Sequence, residues 1–599
     1  MRNQVVRKPI IAFICLLQVL PCRARTITVD DDGIADFNNI QAAINDSNDN
    51  DAIIVRPGIY IGWGNRDIDF NGFAITVRSI DPNDPNTVAA TIIDCNGTET
   101  EPHRGFCFDS GEDANSILDG LTITNGFASG DWPAYHGGAI ACYNQSNPTI
   151  RNCLIINNQT VMGGGGIYCY QSNPTLKDCI ISNNFADFGG GMYNSSDSNS
   201  ILISCTFKEN EVTGDYGDGG AMANQLCAPI IINCNFTANS AIGYGGAGIS
   251  NRLSSPALIG CTFSENQAAG TGGAVRNYRS SPFLTDCVFK ANLAGGGGAI
   301  YNVSYSSPTL TNCIFSANSA YYGGAMSNWY YCNPELINCI LAANTAVYGG
   351  AIETYTAGPV LANCTLTANS ASISGDALFC DSYEQIHPSS VSITNSILWD
   401  STNEIWNNDN STIVITYSNI LGGWPGLGNI NADPCFVLPG YWDSNNTPDE
   451  PNDDFWADGD YYLKSQGWRW DAENNLWTHD DVTSRCIDAG NPGSPLGKEP
   501  LSVPCDPNNQ RGRNLRIDMG AYGGTAQASI PPHGWAILSD LTNDGIVDFS
   551  DLENWTEDWL NNGLLLTNKP GDLDRNKIVD FFDFALFAQD WLKQTSWHK

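Results

Sequence analysis

Residues 297–344 read GGAIYNVSYSSPTLTNCIFSANSAYYGGAMSNWYYCNPELINCILAAN, and the second half of this stretch repeats the first. Shifted by 26 residues, Gly297 and Gly298 fall on Gly323 and Gly324, Pro308 on Pro334, Cys313 on Cys339 and Asn318 on Asn344. Working outward, the same Cys recurs at positions 153, 179, 205, 234, 261, 287, 313, 339 and 364, spaced by 25 to 29 residues. Five residues after each comes an Asn: Asn158, Asn184, Asn210, Asn239, Asn266, Asn292, Asn318, Asn344 and Asn369. An apolar residue sits two after each Cys, as in Phe207, Phe236, Phe263, Phe289 and Phe315. A glycine pair opens most units. Agreement over nine units marks a repeat architecture, which has to be recognised before any local reading.

Each unit holds short apolar β-type runs (ILISCTF, PIIINCNF, PTLTNCIF) broken by Gly, Asn, Ser and Pro. Within these units no stretch carries a helical apolar period, so helix-containing solenoids are disfavoured. One unit cannot bury its apolar face, but stacked units do so continuously. With strands about 4.8 Å apart, each residue lies above its equivalent one coil below. An Asn column then suits a ladder, because an amide both donates and accepts. A Cys column is small and apolar enough to stack inside, and metal binding would need ligands converging on a point. In-register thiols are also poorly placed for disulfides, and nine is odd. These features predict an all-β chain built as a right-handed parallel β-helix, a solenoid.

The remaining composition fits an exported protein. Net charge is −36, from 28 Lys+Arg against 64 Asp+Glu, which disfavours nucleic acid, acidic polysaccharide and anionic membrane as partners. Residues 1–24 read as a secretory signal peptide: Arg2, Arg7 and Lys8 precede an apolar run from Ile10 to Leu20 that is too short to span a bilayer. The expected organisation is a signal at 1–24, a cap and first coils at 25–130 and a repetitive body at 131–430. A closing region with an irregular insertion follows at 431–525, then a linker at 526–537 and a calcium-binding module at 538–599.

The tail carries one pattern twice, 32 residues apart: DLTNDGIVDFSD from Asp540 to Asp551 and DLDRNKIVDFFD from Asp572 to Asp583. Calcium takes oxygen ligands at loop positions 1, 3, 5, 9 and 12, with a main-chain carbonyl at 7. Loop one supplies Asp540, Thr542, Asp544, Asp548 and Asp551 with the Ile546 carbonyl. Loop two supplies Asp572, Asp574, Asn576, Asp580 and Asp583 with the Ile578 carbonyl. Two Ca²⁺ sites are expected in a small α-helical module, because an apolar helical pattern follows each loop: Leu552, Trp555 and Trp559, then Phe584, Phe587 and Trp591.

Three resemblances follow from these residues. The GGA[IVM] and FxxN repeats over about 136–380 resemble polymorphic outer-membrane-protein repeats, which implies a β-helix used in adhesion; that family's C-terminal membrane barrel has no counterpart here. Residues 26–60 resemble the entrance of pectate-lyase-like β-helices, with Phe37, Ile40, Ala43 and Ile44 on a short helix, a strand at Ala52–Val55 and a turn at Pro57 and Gly58. Residues 538–594 resemble the dockerin type I module. That resemblance implies a cohesin-type protein as partner, chosen by loop positions 10 and 11, here Phe549 and Ser550 and then Phe581 and Phe582. Thr542 and Lys577 depart from its pattern.

Two classes of function stay open: a carbohydrate- or surface-binding body anchored through its tail, or a polysaccharide lyase or glycoside hydrolase. The sequence holds no polygalacturonase-like or pectinesterase-like series and assigns no catalytic residue. Asp218, Arg276, Lys290, Glu353 and Asp376 each interrupt a neutral column, either marking a site or adding solvated charge. Residues 437–482 are rich in Trp (Trp442, Trp456, Trp468, Trp470, Trp477) and read as a surface insertion, packed or sugar-binding. The segments RCIDAGNPGSP (485–495) and NLRIDMGAYGG (514–524) look like those that close secreted β-helices.

Overall fold

The computed structural model of the chain describes residues 24–382, 387–445, 454–560 and 569–598. The signal segment, but for its last residue, lies outside the described residues. Each coil of the body runs through four parallel sheets. In the coil around Cys313 these contribute Ile300–Val303, Thr309–Thr311, Ile314–Ser316 and Ser319–Tyr322, before the glycine pair Gly323 and Gly324 turns the chain into the next coil. The first sheet, holding Thr309–Thr311, has 15 strands; the second, holding Ile314–Ser316, has 14. The third, with Ser319–Tyr322, has 10, and the fourth, with Ile300–Val303, has 13.

The ladder expected from sequence is present. Asn318 donates its backbone N–H and its side-chain amide to Asn344 Oδ1 (3.1 and 2.9 Å), and the amide also to the Phe289 carbonyl (2.9 Å). The residue before each ladder Asn takes the left-handed region even where it is Ala, as at Ala291, Ala317 and Ala343 (φ 53–54°). That conformation costs an L-residue about 1–2 kcal/mol. The three hydrogen bonds of the neighbouring Asn offset it by making the alternative a set of buried unsatisfied amides. The ladder ends on Asp400, whose Oδ1 accepts both donors of Asn369 (2.7 and 3.0 Å). A terminal acceptor suits a carboxylate, since nothing above it needs a donor.

Inside, Phe207, Phe236, Phe263, Phe289 and Phe315 stack with centroids 4.7–5.0 Å apart and planes within 8°. The nine ladder cysteines are free and buried, and burial holds the thiols of Cys179 and Cys339 well above their ordinary range. A second Asn ladder was not read from sequence. Asn194, Asn224, Asn251, Asn277, Asn302 and Asn328 join amide to amide at 2.8–3.0 Å inside the fourth sheet. Its signal was available, as the Asn four residues after the second glycine of most pairs.

Both ends are covered. The helix Ile40–Asp46, capped by Asn39, buries Ile40, Ala43 and Ile44 over the first coil, and Ala52–Val55 follows as a strand. At the far end Trp424 packs on the core. The described residues of 436–445 and 454–478 form three antiparallel ribbons with ring pairs Trp442–Trp456 and Trp470–Trp477 (5.6 and 5.5 Å). Phe436, Trp456, Tyr461 and Leu463 pack with Ile340, Ala342 and Ala343 from the outer side of the second sheet. The closing segments run alongside the solenoid, where Asn338, Asn363 and Thr365 hold Ala521, Asp518 and Gly523 through their main chain. Of residues 526–537, read above as a linker, Ala528, Ser529 and Ile530 are buried, and Ser529 Oγ donates to the Leu463 carbonyl.

The tail holds two helices, Phe549–Leu560 and Phe581–Asp590, around Leu541, Val547, Trp555, Leu573, Val579 and Phe587. It rests against the closing segments. Asn543 Nδ2 donates to the Gly428 and Ala489 carbonyls (both 2.7 Å), Arg516 to the Asp540 carbonyl (2.7 Å), and Arg575 to those of Pro492 and Leu515 (2.9 and 2.6 Å). The Arg485 guanidinium stacks 3.7 Å over Trp597.

Candidate functional site

The two tail loops share one backbone shape. Asn543 and Arg575 at position 4 both have φ 59°, and Gly545 and Lys577 at position 6 have φ 93° and 75°. Lys577 therefore takes the left-handed turn that glycine takes in loop one, at a cost of about 1 kcal/mol. In each loop the carboxylate at position 1 accepts the N–H at position 6, Asp540 from Gly545 (2.9 Å) and Asp572 from Lys577 (2.8 Å). The carboxylate at position 12 accepts the N–H groups of positions 3 and 9: Asp551 from Thr542 and Asp548, Asp583 from Asp574 and Asp580. In loop two, ligand oxygens of Asp572, Asp574 and Asp583 lie within 4.8 Å of one another. In loop one Thr542 stands in place of Asp574 and gives its hydroxyl to Asp551 (3.0 Å). This oxygen-only donor set fits a hard divalent cation, with four carboxylates in each loop.

Positions 10 and 11 face solvent. Phe549, Phe581 and Phe582 are 74–76% exposed, and Ser550 is exposed. Phe549 meets Trp591 (5.1 Å) as Phe581 meets Trp559 (4.9 Å), so the duplicated loops present a near two-fold pair of aromatic edges. Asp544, Asn576 and Ile578 are also exposed, while Asp548, Asp580 and Ile546 are half-buried.

The interrupting charges sort by location. Lys290 pairs with Asp458 of the ribbon region (2.7 Å). Asp376 is taken up by the Ala371 N–H and the Ser401 hydroxyl. Asp218, Arg276 and Glu353 meet the outer face of the fourth sheet. There one outward column runs Ser250, Arg276, Tyr301, Ser327, Glu353, Phe379 and Trp406, in register on successive coils. The neighbouring column includes Tyr278, Trp329 and Tyr355. Alternation within each four-residue strand after the glycine pair is the sequence signal for this face.

Glu353 is 2% exposed and accepts from Ser327 Oγ (2.6 Å) and Trp329 Nε1 (2.9 Å) on one oxygen. Burial pushes its carboxyl up to about 8, so it is mostly protonated at neutral pH. Arg276 pairs with Asp218 (3.3 Å) and faces the rings of Tyr244 and Tyr278 (5.7 and 5.9 Å); burial raises Asp218 to about 6 against the pull of Arg276. Around Glu353 the rings form a pavement: Trp329 on Tyr355 (4.8 Å), Tyr322 on Tyr348 (5.6 Å), Tyr348 on Phe379 (5.1 Å). Tyr305 and Tyr331, stacked at 5.2 Å, stand 66% and 40% exposed beside it.

These arrangements define a class: a parallel β-solenoid with aromatic outer columns and a small helical tail. The chain belongs to the right-handed β-helix family, whose description, right handed beta helix region, matches residues 35–224 and 189–339. Among solved structures it is similar to pectate lyase Pel9A at 12% identity, covering 83% of this chain and 96% of that one, with a TM-score of 0.28. It is also similar to the receptor-binding domain of the Siphovirus 9NA tailspike (10%, 76% and 90%, TM-score 0.28) and to a rhamnogalacturonan lyase (9%, 69% and 91%, TM-score 0.20). No curated protein matches the sequence. Among the described residues no helix is long and apolar enough to cross a membrane.

Proposed function

We propose that this is an exported β-helix protein that docks through its tail to a cohesin-type partner and binds an extended polysaccharide along its fourth sheet. The observation that carries the docking half is the duplicated loop pair: two 12-residue loops of one shape, carboxylates at the ligand positions, and an exposed aromatic at position 10 of each. Two Ca²⁺ ions, one per loop, would be held by Asp540, Asp544, Asp548, Asp551 and Thr542, and by Asp572, Asp574, Asn576, Asp580 and Asp583, with the Ile546 and Ile578 carbonyls. Bound Ca²⁺ neutralises the carboxylates of each loop. The chain's own residues then do the rest: Trp555 and Phe587 pack the helices, while Phe549, Phe581 and Phe582 offer anchors to the partner. Capture of the full chain by a cohesin module, lost with chelator and in an Asp540→Ala, Asp572→Ala double variant, is the expected result. Equal capture with and without Ca²⁺ refutes it.

The aromatic columns support the body's role, since sugar rings stack on aromatic faces and the rows repeat at strand spacing. The net charge of −36 favours a neutral chain over a uronate. Trp329→Ala should weaken binding about tenfold, the equivalent of about 1.4 kcal/mol, in a glycan titration; unchanged affinity excludes this face. A second reading, cleavage of that chain, is favoured by Glu353, whose protonated carboxyl is suited to general-acid work. Under it, release of reducing ends disappears in Glu353→Gln.

A further inference from the structure

We infer a divalent-cation site outside the tail loops, in which Asp488, Glu499 and Asp518 hold a Ca²⁺ ion that staples the closing segments to one another beside the solenoid. Asp488 belongs to the segment 485–495 and Asp518 to 514–524, with Glu499 on the connection between them. One ligand oxygen from each of the three lies within 4.8 Å of the other two, and all three residues are buried (2%, 6% and 1% exposed for Asp488, Glu499 and Asp518).

The hydrogen bonds orient these carboxylates without neutralising them. Asp488 accepts the N–H groups of Leu515 and Arg516, Asp518 those of Asp488 and Ser529, and Glu499 Oε1 those of Asp518 and Gly524 (each 2.8–3.2 Å). Glu499 Oε2 is shut off from solvent and has no hydrogen-bond partner, although it belongs to a carboxylate that reaches the other two. An unpaired, buried oxygen on a member of an acid triad points to a cation. The guanidiniums whose charge reaches the cluster give their hydrogens to main-chain carbonyls: Arg516 to Gly490 and Asp540, Arg575 to Pro492 and Leu515.

An oxygen-only set of three carboxylates, with neither His nor Cys, selects a hard cation, and a site closed to water favours Ca²⁺ over Mg²⁺, which keeps its own waters. Burial raises all three carboxyls above their ordinary range. The ion would tie together three stretches with no regular secondary structure of their own. It would also brace the surface that receives Asn543 and Arg575 from the tail.

The test is the metal content of the full chain after equilibrium dialysis against Ca²⁺, for wild type, Glu499→Gln and Asp518→Asn. Both variants keep side-chain shape while removing one charge. Each should hold one Ca²⁺ fewer per chain than wild type, whatever the tail loops bind, so this result is independent of the docking proposal. Equal counts in wild type and both variants overturn the site in favour of shared protons. If either variant misfolds, crystals of the wild-type chain grown with Ca²⁺ decide it: an anomalous-scattering peak between the three carboxylates supports the site, and its absence overturns it.

Discussion

The solenoid and the tail both bury polar groups, but they settle them in opposite ways. In the solenoid each buried amide meets its own copy one coil away, so Asn318 satisfies Asn292 and is satisfied by Asn344. No charge is buried along the ladder until Asp400 ends it. The tail repeats its loop only once and fills each copy with four carboxylates around a core of six buried apolar side chains. A module of that size is marginal without a staple. Repetition makes the body self-sufficient, whereas in the tail the staple would be the Ca²⁺ ions proposed above.

Chelation should therefore break the comparison at its weakest point. Calorimetry of the full chain with Ca²⁺ and with chelator should show the tail transition shifted or lost, while the solenoid transition moves far less. The Asp540→Ala, Asp572→Ala variant should reproduce the chelated tail in either buffer. A tail transition indifferent to Ca²⁺ would erase the distinction drawn between the two regions.

Within the solenoid, Phe289→Ala should cost about 3–5 kcal/mol by opening the ring stack. Asn292→Ala should cost about 2–3 kcal/mol, because it strands the buried donors of Asn266 and the Phe263 carbonyl. Denaturant unfolding of the body measures both, and an Asn292→Ala loss below about 0.5 kcal/mol would mean the ladder is ornamental.

Glu353 is a buried carboxyl on the fourth sheet, and pH exposes it. Its folded carboxyl is raised to about 8 from an ordinary 4.5, so its stabilising contribution is full below about 4.5 and is lost as pH rises through about 8. Glu353→Gln should match wild type near pH 5 and exceed it by on the order of 2–4 kcal/mol near pH 9. Parallel stability curves for the two proteins would show that the carboxyl is not raised. The smallest expected effect lies in the tail. Lys577→Gly relieves a left-handed lysine and should stabilise loop two by about 1 kcal/mol, read as tighter Ca²⁺ binding of that loop.

Much of this was legible before any coordinates. Cys153 to Cys364 and Asn158 to Asn369 gave the period, and a period of about 26 residues in short β-type runs leaves little but a stacked solenoid. The cap helix, the strand Ala52–Val55 and the equivalence of the two acidic loops were equally plain, because each depends on residues close in sequence. The outward columns were less visible: Arg276, Tyr301 and Glu353 sit in alternating four-residue strands whose faces are assigned only once the inward Asn ladder is known. The closing region was opaque. Lys290 with Asp458, Asn338 with Ala521, and Asp488 with Glu499 and Asp518 join residues with no shared period.

The sequence by itself determined the coil, its ladders and the two loops, since like residues at fixed spacing must stack or duplicate. Only the tertiary structure decided which flank the closing segments take, that the tail rests on them, and which buried carboxylates meet. Those contacts are set by one-off complementarity between surfaces distant in the chain, which no local pattern encodes.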